Sequence, residues 1–482
     1  MNIIGFSGIE GLESPTNGSE FSGDEWLIPA NTSNLERSES YFFRANLAYN
    51  QKYLFSFSVR RDGSSKLAKE NRYSNFPALS MGWIISDETF MKNQNIINLL
   101  KLRTSYGITG SIANVVMTDT YDLLNSGIYK GEPALLVSDK LGNPNLQWEK
   151  TKQVDIGLDI ALLQNQINVT LDWYYKYTSG MINSESLPAN TGGFLSRKMN
   201  AGTIRNRGVD LSLDWQSQKK NECFFQAGVN VNINHSKVID LPVNGQSFSA
   251  GYYGGGNMPR PRLEIGKPFG ALEVYKALGL DKNGDVIYWD ASGNGTIGSE
   301  DKILVPNLEP DFTGGMYLGA TWRDISLYGQ FAFACGGQIY NCEEQLLRST
   351  ELSYDGVMEN KPNYILDRWT PENTSSRYPR MVVGAHGPQN ETGWNDKPST
   401  LYMYDASFLK LNKLSLSYRL PQNWIEKLKI NQCQFYFSAE NLFTLKNRNL
   451  SIPDPEAALN SGIAQKSTPS PRSFMLGFDL TF

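Results

Sequence analysis

Hydrophobic and polar residues alternate along most of the chain. In the last ten residues, 473–482, every second residue from Phe474 to Phe482 is a phenylalanine or a leucine. A period of two places these side chains on one face of an extended strand. A free apolar edge strand invites aggregation in water, whereas a closed membrane barrel removes the edge and presents such a face to lipid. The alternative is a buried edge strand of a large soluble β domain, and residues 473–482 alone fit both.

The same alternation predicts strands throughout residues 41–482. Residues 41–49 and 53–59 flank Asn50–Gln51 and predict a hairpin with one apolar face. The other face of the predicted strands is dominated by Asn, Gln, Ser, Asp and Gly rather than by Lys and Glu, which suits the wall of a water-filled lumen. The predicted strands run for about 9 to 14 residues, which is long for a globular protein but suits tilted strands that cross a bilayer.

The connections between predicted strands alternate in length. Short turns are expected at Asn50–Gln51, Gln164–Asn165 and Arg323–Asp324. The long polar connections are 62–74, 111–147, 179–203, 237–267, 336–405 and 447–472. Outer-membrane barrels have this arrangement, with short periplasmic turns and long outer loops. If the turn Asp281–Gly284 also joins two wall strands, the count is about fifteen, and an odd count makes the first and last strands run in the same, inward direction.

Two short helices are expected on the periplasmic connections, at 87–95 and at 421–428, where Pro421 suits a helix start. Both segments are interpreted as turn fillers against the barrel rim. The N-terminal segment Met1–Phe6 has no charged stretch followed by an apolar one, so a signal peptide is not expected in this sequence. No run of 18 or more apolar residues predicts a membrane-spanning helix.

Composition supports many strands and turns. The 482 residues include 43 glycines, 12% aromatics and only 2 histidines. The formal net charge is −4 with both signs interspersed, so no nucleic-acid partner is indicated. The four cysteines, Cys223, Cys335, Cys342 and Cys433, lack the spacing of a zinc site or a catalytic thiol.

Several stretches together resemble the SusC/RagA-like TonB-dependent transporters of the Bacteroidetes outer membrane. They are Arg60–Ser65, Arg72–Pro77 with Gly82–Trp83, Leu100–Gly107, Asn143–Lys150, Asp405–Leu411, Ala439–Thr444, Asp454–Glu456 and the terminal Phe482. The stretches occur in the order typical of that family and extend from about residue 40 to the end. Each motif is weak alone, and their ordered set carries the resemblance.

The resemblance implies an all-β fold, an antiparallel transmembrane β-barrel of which this chain supplies about the last 15 of roughly 22 strands, without the plug. Residues 1–39 are then a polar outer-loop segment, and residues 40–482 the C-terminal part of the barrel. The implied activity is uptake of oligosaccharides or peptides. The implied partners are outer-membrane lipids, a SusD-like surface lipoprotein acting as a lid, and TonB, reached through an N-terminal part that is missing here. We therefore expect a partial transporter that neither closes nor transports alone.

One stretch resembles a calcium-binding loop. Residues 290–301 place oxygen donors at positions one, three and five, Asp290, Ser292 and Asn294, a glycine at position six, and Asp301 at position twelve. Related sequences often carry a more acidic version, so neutral Ser292 and Asn294 predict weak calcium binding in an outer loop. The alternative is a plain cluster of Asx and glycine turns. No other cofactor is expected, and Asp281–Asp285 is better interpreted as a tight hairpin turn.

Other candidate chemistry is weaker. The glycine-rich segment Gly251–Asn257 lacks the ending of a phosphate-binding loop and suits a mobile outer loop. Its tyrosines, with Trp394 and the tyrosines of 402–404, are candidates for stacking on sugars or contacting a lid protein, with loop packing as the alternative. The two histidines, His235 and His386, have no nucleophile motif nearby, and we assign no catalytic residues. A soluble all-β glycan-binding protein and a β-rich glycoside hydrolase remain as alternative functions.

Overall fold

The computed structural model describes residues 36–129, 132–188, 190, 192–218, 222–242, 258–306, 308–348, 361, 363–381, 395, 397–425, 430–458, 462–464 and 470–481. Its main element is one antiparallel sheet of thirteen long strands. The strands are β1 (Ser38–Tyr49), β2 (Tyr53–Ser64), β3 (Tyr73–Ile84), β4 (Ile97–Ser111), β5 (Glu149–Leu162), β6 (Ile167–Ser179), β7 (Thr203–Gln216), β8 (Cys223–Asp240), β9 (Phe312–Trp322), β10 (Ile325–Cys335), β11 (Phe408–Arg419), β12 (Gln432–Lys446) and β13 (Ser473–Thr481). The predicted domain segment 1–39 lies almost entirely outside the described residues, as does Phe482.

Each strand of this wall pairs with its neighbours in chain order. The sequence predicted about fifteen wall strands, and the described residues contain thirteen. The difference is the hairpin around Asp281–Gly284, whose strands Ala277–Leu280 and Val286–Tyr288 pair only with each other in a separate small sheet. The turn itself is confirmed, with Gly284 at φ 84° and its amide donating to the Asp281 carbonyl over 3.1 Å. Thirteen is also odd, so β1 and β13 run in the same direction.

The register sorts the two faces of the wall as the alternation predicts. Leu47, Phe55 and Met81 lie opposite one another on the outer face. Ser56 and Ser80 are paired on the inner face. Apolar side chains on the outer face are widely exposed, and Leu476 of β13 is 80% exposed. Such exposure over a whole sheet face is expected where lipid rather than water is the surrounding solvent.

Short connections lie at one end of the wall. Asn50 and Gln51 turn the chain with φ 50° and 57°, and the Lys52 amide donates to the Tyr49 carbonyl over 3.1 Å, as in the primed turns that suit twisted strands. Between β3 and β4 the structure has two 3₁₀ helices, Ile85–Asp87 and Thr89–Met91, instead of the single helix predicted at 87–95.

The interruption falls at Glu88, whose backbone is extended. Its carboxylate accepts hydrogen bonds from the Tyr53 hydroxyl over 2.8 Å and the Trp83 indole over 3.1 Å. These bonds hold Glu88 against the wall, outside a helical conformation. The second predicted helix is found over Gln422–Ile425 after Pro421, while residues 426–429 lie outside the described part of the chain. In the described residues, every helix is too short or too polar to cross a membrane.

Long connections at the opposite end carry their own secondary structure. The further strands are Leu124–Tyr129 with Glu132–Val137; Lys140–Leu141 with Ile182–Ser186 and Ser196–Asn200; Arg260–Pro261 with Leu272–Tyr275 and Lys302–Val305; and Gln338–Asn341 with Met403–Asp405 and Ile463–Ala464. The helices here are Cys342–Arg348 (α) and Met117–Thr120, Ser299–Asp301, Asn363–Leu366, Thr400–Tyr402 and Pro455–Ala458 (3₁₀).

The main apolar core lies among three of these connections. We call the described residues of 258–311, 336–407 and 447–472 the outer cap. Its largest buried cluster is Met258, Leu272, Val274, Leu308, Tyr340, Cys342, Leu401, Tyr402 and Ile463. A smaller cluster of Leu67, Val115, Leu146 and Ile182 joins the connections that follow β2, β4 and β6. The wall is thus apolar on its outer face, whereas the cap is apolar inside.

Candidate functional site

The inner face of the wall carries an ion-pair cluster at β4–β6. Arg103 of β4 directs its Nε at the Asp159 carboxylate of β5, with distances of 3.1 and 3.0 Å to the two oxygens. Its Nη2 lies 2.8 Å from Oδ2 of Asp172 on β6. The strand register therefore gives one guanidinium two carboxylate partners on two different strands. A charge-assisted pair of this kind fixes the side-chain geometry of a polar wall.

A glycine makes this crossing feasible. Gly157 of β5 lies between Arg103 and Asp172 in the strand register. A Cβ added at Gly157 would lie 2.7 Å from Cζ of Arg103 and would collide with the Asp172 carboxylate. The guanidinium reaches over the β5 backbone because nothing projects from it there.

Two tyrosines use the same arrangement further round the wall. Tyr174 of β6 lies over Gly208 of β7 and donates to Oδ1 of Asn234 on β8 over 3.0 Å. Tyr317 of β9 lies over Gly228 of β8 and donates to Oδ1 of Asp214 on β7 over 2.7 Å. Hydroxyls, amides and carboxylates thus cover the inner face and offer hydrogen bonds to a hydrophilic solute.

Beside this cluster the inner face forms a groove of about 500 Å³. Small polar side chains, Ser56, Ser80 and Ser105, line it together with Arg103 and Asp155. The alternation predicts that these residues lie in strands, and Arg103 and Ser105 belong to the stretch Leu100–Gly107, but the sequence alone assigns none of them a role. The feature of the sequence that could have indicated them is the alternation, because it places charged and small polar residues of β4 on the inner face. Which residues they contact on neighbouring strands follows only from the strand register.

The outer cap is held by buried polar contacts as well as by its apolar core. Nε of Arg348 lies 2.9 Å from Oε1 of Glu344, and both side chains are almost fully buried. The guanidinium also stacks on the Tyr378 ring, with Cζ 3.1 Å from the ring centroid. The Tyr378 hydroxyl in turn shares a hydrogen bond of 2.8 Å with that of Tyr404.

This packing buries two of the tyrosines that the sequence offers as candidates for stacking on sugars or contacting a lid protein. Tyr402 and Tyr404 are 1% and 4% exposed. Burial and the neighbouring Glu344 raise the pKa of the Tyr404 hydroxyl far above its usual range. The two rings therefore belong to the cap interior, which is the loop-packing alternative. Trp394 and Gly251–Asn257 lie outside the described residues.

The cap is anchored to the wall by a second buried ion pair. Nζ of Lys410, at the outer end of β11, lies 2.8 Å from Oδ2 of Asp454 and 2.9 Å from Oε2 of Glu456. The Ser470 hydroxyl also donates to Asp454, over 2.6 Å. Burial alone would raise the pKa of the Asp454 carboxyl, but the hydrogen bonds from Lys410 and Ser470 outweigh it and hold the pKa below its usual value.

The predicted calcium loop lies on the cap surface. Asp290 and Asp301 both approach Ser292: Asp290 accepts from its hydroxyl over 3.1 Å, and Asp301 accepts from its amide over 2.8 Å. Asp290 also accepts from the Gly293 and Gly295 amides over 2.7 and 2.8 Å. These oxygens are therefore engaged by donors within the loop.

The remaining candidate ligand points elsewhere. Oδ1 of Asn294 accepts from the amide and hydroxyl of Thr296 over 2.7 and 2.8 Å. Hydrogen bonds from the Ser292 and Gly298 amides lower the pKa of the Asp301 carboxyl. Across the residues that the structure describes, no group of three or more His, Cys, Asp or Glu side chains is arranged to hold a metal ion. The geometry is that of an Asx and glycine turn cluster, and calcium binding stays a prediction.

Comparisons with known proteins agree with this architecture. The family model for the TonB dependent receptor-like β-barrel matches residues 10–442. TonB-dependent receptor P3 of Formosa agariphila is 27% identical over 486 residues, which cover 95% of this chain and 46% of that protein. TonB-dependent receptor SusC of Bacteroides thetaiotaomicron is 28% identical over 465 residues, which cover 92% of this chain and 43% of SusC.

A solved structure gives the same result. The RagAB peptide transporter structure superposes with a TM-score of 0.79 at 26% identity, covering 97% of this chain and 49% of that chain. The chain thus spans about half the length of the relatives that it matches.

Proposed function

Because the chain belongs to the TonB-dependent receptor-like β-barrel family of the bacterial outer membrane, we propose that it forms wall and outer cap of an importer for bulky hydrophilic nutrients. The family consists of transporters and not of enzymes, in agreement with the absence of a catalytic motif in the sequence. The observation that carries the proposal is the inversion of polarity across one sheet, with Leu47 and Met81 outside and Ser56, Ser80 and Arg103 inside.

The proposed cargo is an oligosaccharide or a peptide. Both are rich in hydrogen-bonding groups, and the inner wall offers matching donors and acceptors at Tyr174, Asn234 and Tyr317. The similarity to the RagAB peptide transporter supports peptides. The similarity to SusC supports the same type of importer without specifying the cargo.

The proposed partners follow from the same relatives. A SusD-like lipoprotein would cover the outer cap as a lid, and TonB would supply energy through the half of such a transporter that lies outside the matched region. Among the described residues, β1 and β13 each pair on one side only. Lipid does not tolerate unpaired strand edges, so we propose that further strands complete the wall before it can transport.

The experiment compares substitutions on the two faces of one strand. In the strand register Ser80 shares the inner face with Ser56 and Ser105, so Ser80→Trp places a bulky side chain on that face. Met81→Trp places the same side chain on the lipid face, beside Phe55. Cells carrying the wild-type gene, either variant or a deletion are grown on mixed oligosaccharides and peptides, and depletion of each compound from the medium is followed by mass spectrometry.

We expect deletion cells to leave a defined set of compounds in the medium that wild-type cells deplete. Cells with Ser80→Trp should take up these compounds several-fold more slowly, and cells with Met81→Trp should take them up at the wild-type rate. Equal amounts of each variant in the outer membrane, measured by immunoblot, are required for the comparison. Identical depletion by wild-type and deletion cells would contradict the import function. Co-purification of a lipoprotein with the wild-type protein tests the lid partner separately.

We also propose weak calcium binding by Asp290, Ser292, Asn294 and Asp301 in the outer loop. The support is the spacing of the oxygen donors and the approach of both carboxylates to Ser292. Binding would require calcium to displace the backbone amides that now occupy these oxygens. Calorimetry with the purified protein should show millimolar or weaker binding that Asp290→Asn abolishes. No heat of binding in the wild-type protein would dismiss this site.

A further inference from the structure

The outer face of the wall carries a group of cations at one place. At the outer ends of β5–β8 the register brings together five cationic side chains, which we call the outer basic patch: Lys150, Lys152, Arg205, Arg207 and Lys237. These cations lie on the same face of the sheet as the apolar residues that face lipid. Along β7, for example, Arg205 and Arg207 lie on the same face as Val209 and Leu211. The patch therefore belongs to the membrane side of the wall and not to the lumen.

The cations in this patch face one another. Arg205 of β7 lies directly opposite Lys237 of β8, and Arg207 lies opposite His235. On the other side of Arg205, Tyr177 of β6 separates it from Lys152 of β5. Like charges directly opposite on neighbouring strands destabilise a sheet. An anion bound from outside the protein would relieve this repulsion.

The described residues supply no carboxylate at ion-pair distance from the patch. Within the part of the chain that is described, none of the five cations has a carboxylate within 4.0 Å, although ion pairs are frequent elsewhere in the wall and cap. Nε of Arg205 is buried and has no hydrogen-bond partner among the described residues. A buried guanidinium N–H without an acceptor is costly, so an acceptor supplied from outside these residues would stabilise Arg205.

The position identifies the kind of ligand. Towards the membrane centre the same face continues through Tyr175 and Trp173 to Leu171, the sequence of aromatic and aliphatic residues that marks the edge of the lipid band. At the cap-side ends of β9, β11 and β12 the outer face carries Phe312, Leu409 and Leu445 instead of cations. The patch is thus a local feature at the outer-leaflet boundary, not a general property of the rim.

We propose that the outer basic patch binds the phosphate groups of an anionic lipid headgroup in the outer leaflet. Guanidinium groups match phosphate oxygens in pairs, and lysines add charge. Three inter-strand steps of about 4.8 Å separate β5 from β8, so the patch is about 14 Å wide. This width exceeds one phosphate ion and suits a phosphorylated glycolipid headgroup whose acyl chains lie against Leu171 and Val209. The site is separate from the lumen that carries cargo.

The test measures lipid bound to the protein purified from its native outer membrane. Native mass spectrometry in detergent titrates three probes: diphosphoryl lipid A, the same lipid without phosphates, and inorganic phosphate. We expect tight binding of the diphosphoryl lipid alone. The triple variant Arg205→Gln/Arg207→Gln/Lys237→Gln should weaken that binding at least about tenfold, since each basic residue near a charged lipid surface contributes roughly a fivefold factor.

Two controls separate lipid recognition from charge or folding. Lys69→Gln/Lys92→Gln/Arg448→Gln removes three exposed cations elsewhere and should bind the lipid like wild type. Arg205→Lys/Arg207→Lys keeps the charge and should retain most of the binding, while heat-modifiable migration on gels reports folding for every variant. Equal binding of phosphorylated and unphosphorylated lipid by the wild-type protein would overturn the proposal. So would unchanged binding in the folded triple variant, or complete competition by inorganic phosphate.

Discussion

The wall and the outer cap use the same twenty amino acids in opposite ways. In the wall, leucines such as Leu318 of β9 point outwards and are 55% exposed, while the inner face is polar. In the cap the orientation is reversed, and Leu272 and Tyr340 are fully buried in an apolar core. The difference shows that one chain folds against two solvents, lipid around the wall and water around the cap.

The ion pairs of the two regions differ in the same sense. Arg348 and Glu344 in the cap are 7% and 1% exposed, whereas Arg323 and Glu222 at a short turn of the wall are 66% and 62% exposed. Both pairs have close N–O contacts, of 2.9 and 2.6 Å. Their energetic weight should nevertheless be very different, because burial determines what a lost partner costs.

The largest expected effect comes from Arg348→Ala. Removing the guanidinium leaves the Glu344 carboxylate buried without its charge partner and should destabilise the cap by about 3–5 kcal/mol. Hydrogen exchange of the purified protein should show faster exchange in segments 338–348 and 403–405, with the wall unchanged. Arg323→Ala is the matched control and should cost less than about 1 kcal/mol. Similar exchange in the two variants would mean that the cap is not held by this buried pair.

Leucine truncation sharpens the comparison at the level of packing. Leu272→Ala opens a cavity in the cap and should cost about 2–5 kcal/mol. Leu318→Ala only reduces contact with lipid and should cost less than about 1 kcal/mol. Limited proteolysis of the cap connections and heat-modifiable migration of the wall measure the two regions separately. The assignment of the two faces would be contradicted by the opposite result. In that result the cap connections of Leu318→Ala would be cleaved early, and the cap of Leu272→Ala would be as stable as in the wild-type protein.

The contrast between wall and cap also explains which parts of the fold can be predicted from the sequence. Each wall strand repeats a period of two over many residues, so strands, faces and the direction of β13 follow from the alternation. The cap has no such period: Val274 and Tyr340 come from four-residue strands in different connections and meet only through tertiary packing. For this reason the pattern around Asp281–Gly284 predicts two further wall strands, which the structure places in the cap, and the long connections are predicted only as polar segments.

For the candidate site, the sequence likewise predicts the face or spacing of a residue but not its contacts. The parity of β4 predicts that Arg103 faces the lumen, but its pairing with Asp159 and Asp172 depends on a register that the pattern does not contain. The spacing of Asp290 and Asp301 predicts that they approach each other. It does not show that backbone amides occupy their oxygens.

A smaller effect is expected from Gly157→Ala in the wall. The added Cβ would displace Arg103 from Asp172 and should cost about 1–3 kcal/mol, as overpacking usually does. Gly329→Ala is the matched wall control, because the nearest atom to its Cβ would be 3.5 Å away. The midpoint temperature of heat-modifiable migration should fall for Gly157→Ala only. An equal fall in both variants would mean that close approach at Gly157 is unimportant.

The smallest effect concerns pH and the junction of the two regions, because Glu456 remains beside Lys410 when Asp454 is neutralised. Hydrogen bonds from Lys410 and Ser470 hold the folded-state pKa of Asp454 below the value of about 3.9 expected in an unfolded chain. The stabilisation is therefore fully present above the unfolded pKa and is lost as pH falls through the folded pKa, so it should fade only below about pH 4. Hydrogen exchange of segment 447–458 should accordingly be constant from pH 7 to 5, after correction for intrinsic rates, and rise in more acidic buffer.

The variant Asp454→Asn separates this anchor from general acid unfolding. It keeps the shape of the side chain but cannot titrate, so exchange in segment 447–458 should already be raised at pH 7 and should change less between pH 5 and 3. The cap core around Leu272 should remain protected in both proteins at pH 5. If segment 447–458 opened between pH 7 and 5 in the wild-type protein, another group would have to control the junction, because Asp454 stays charged throughout that range.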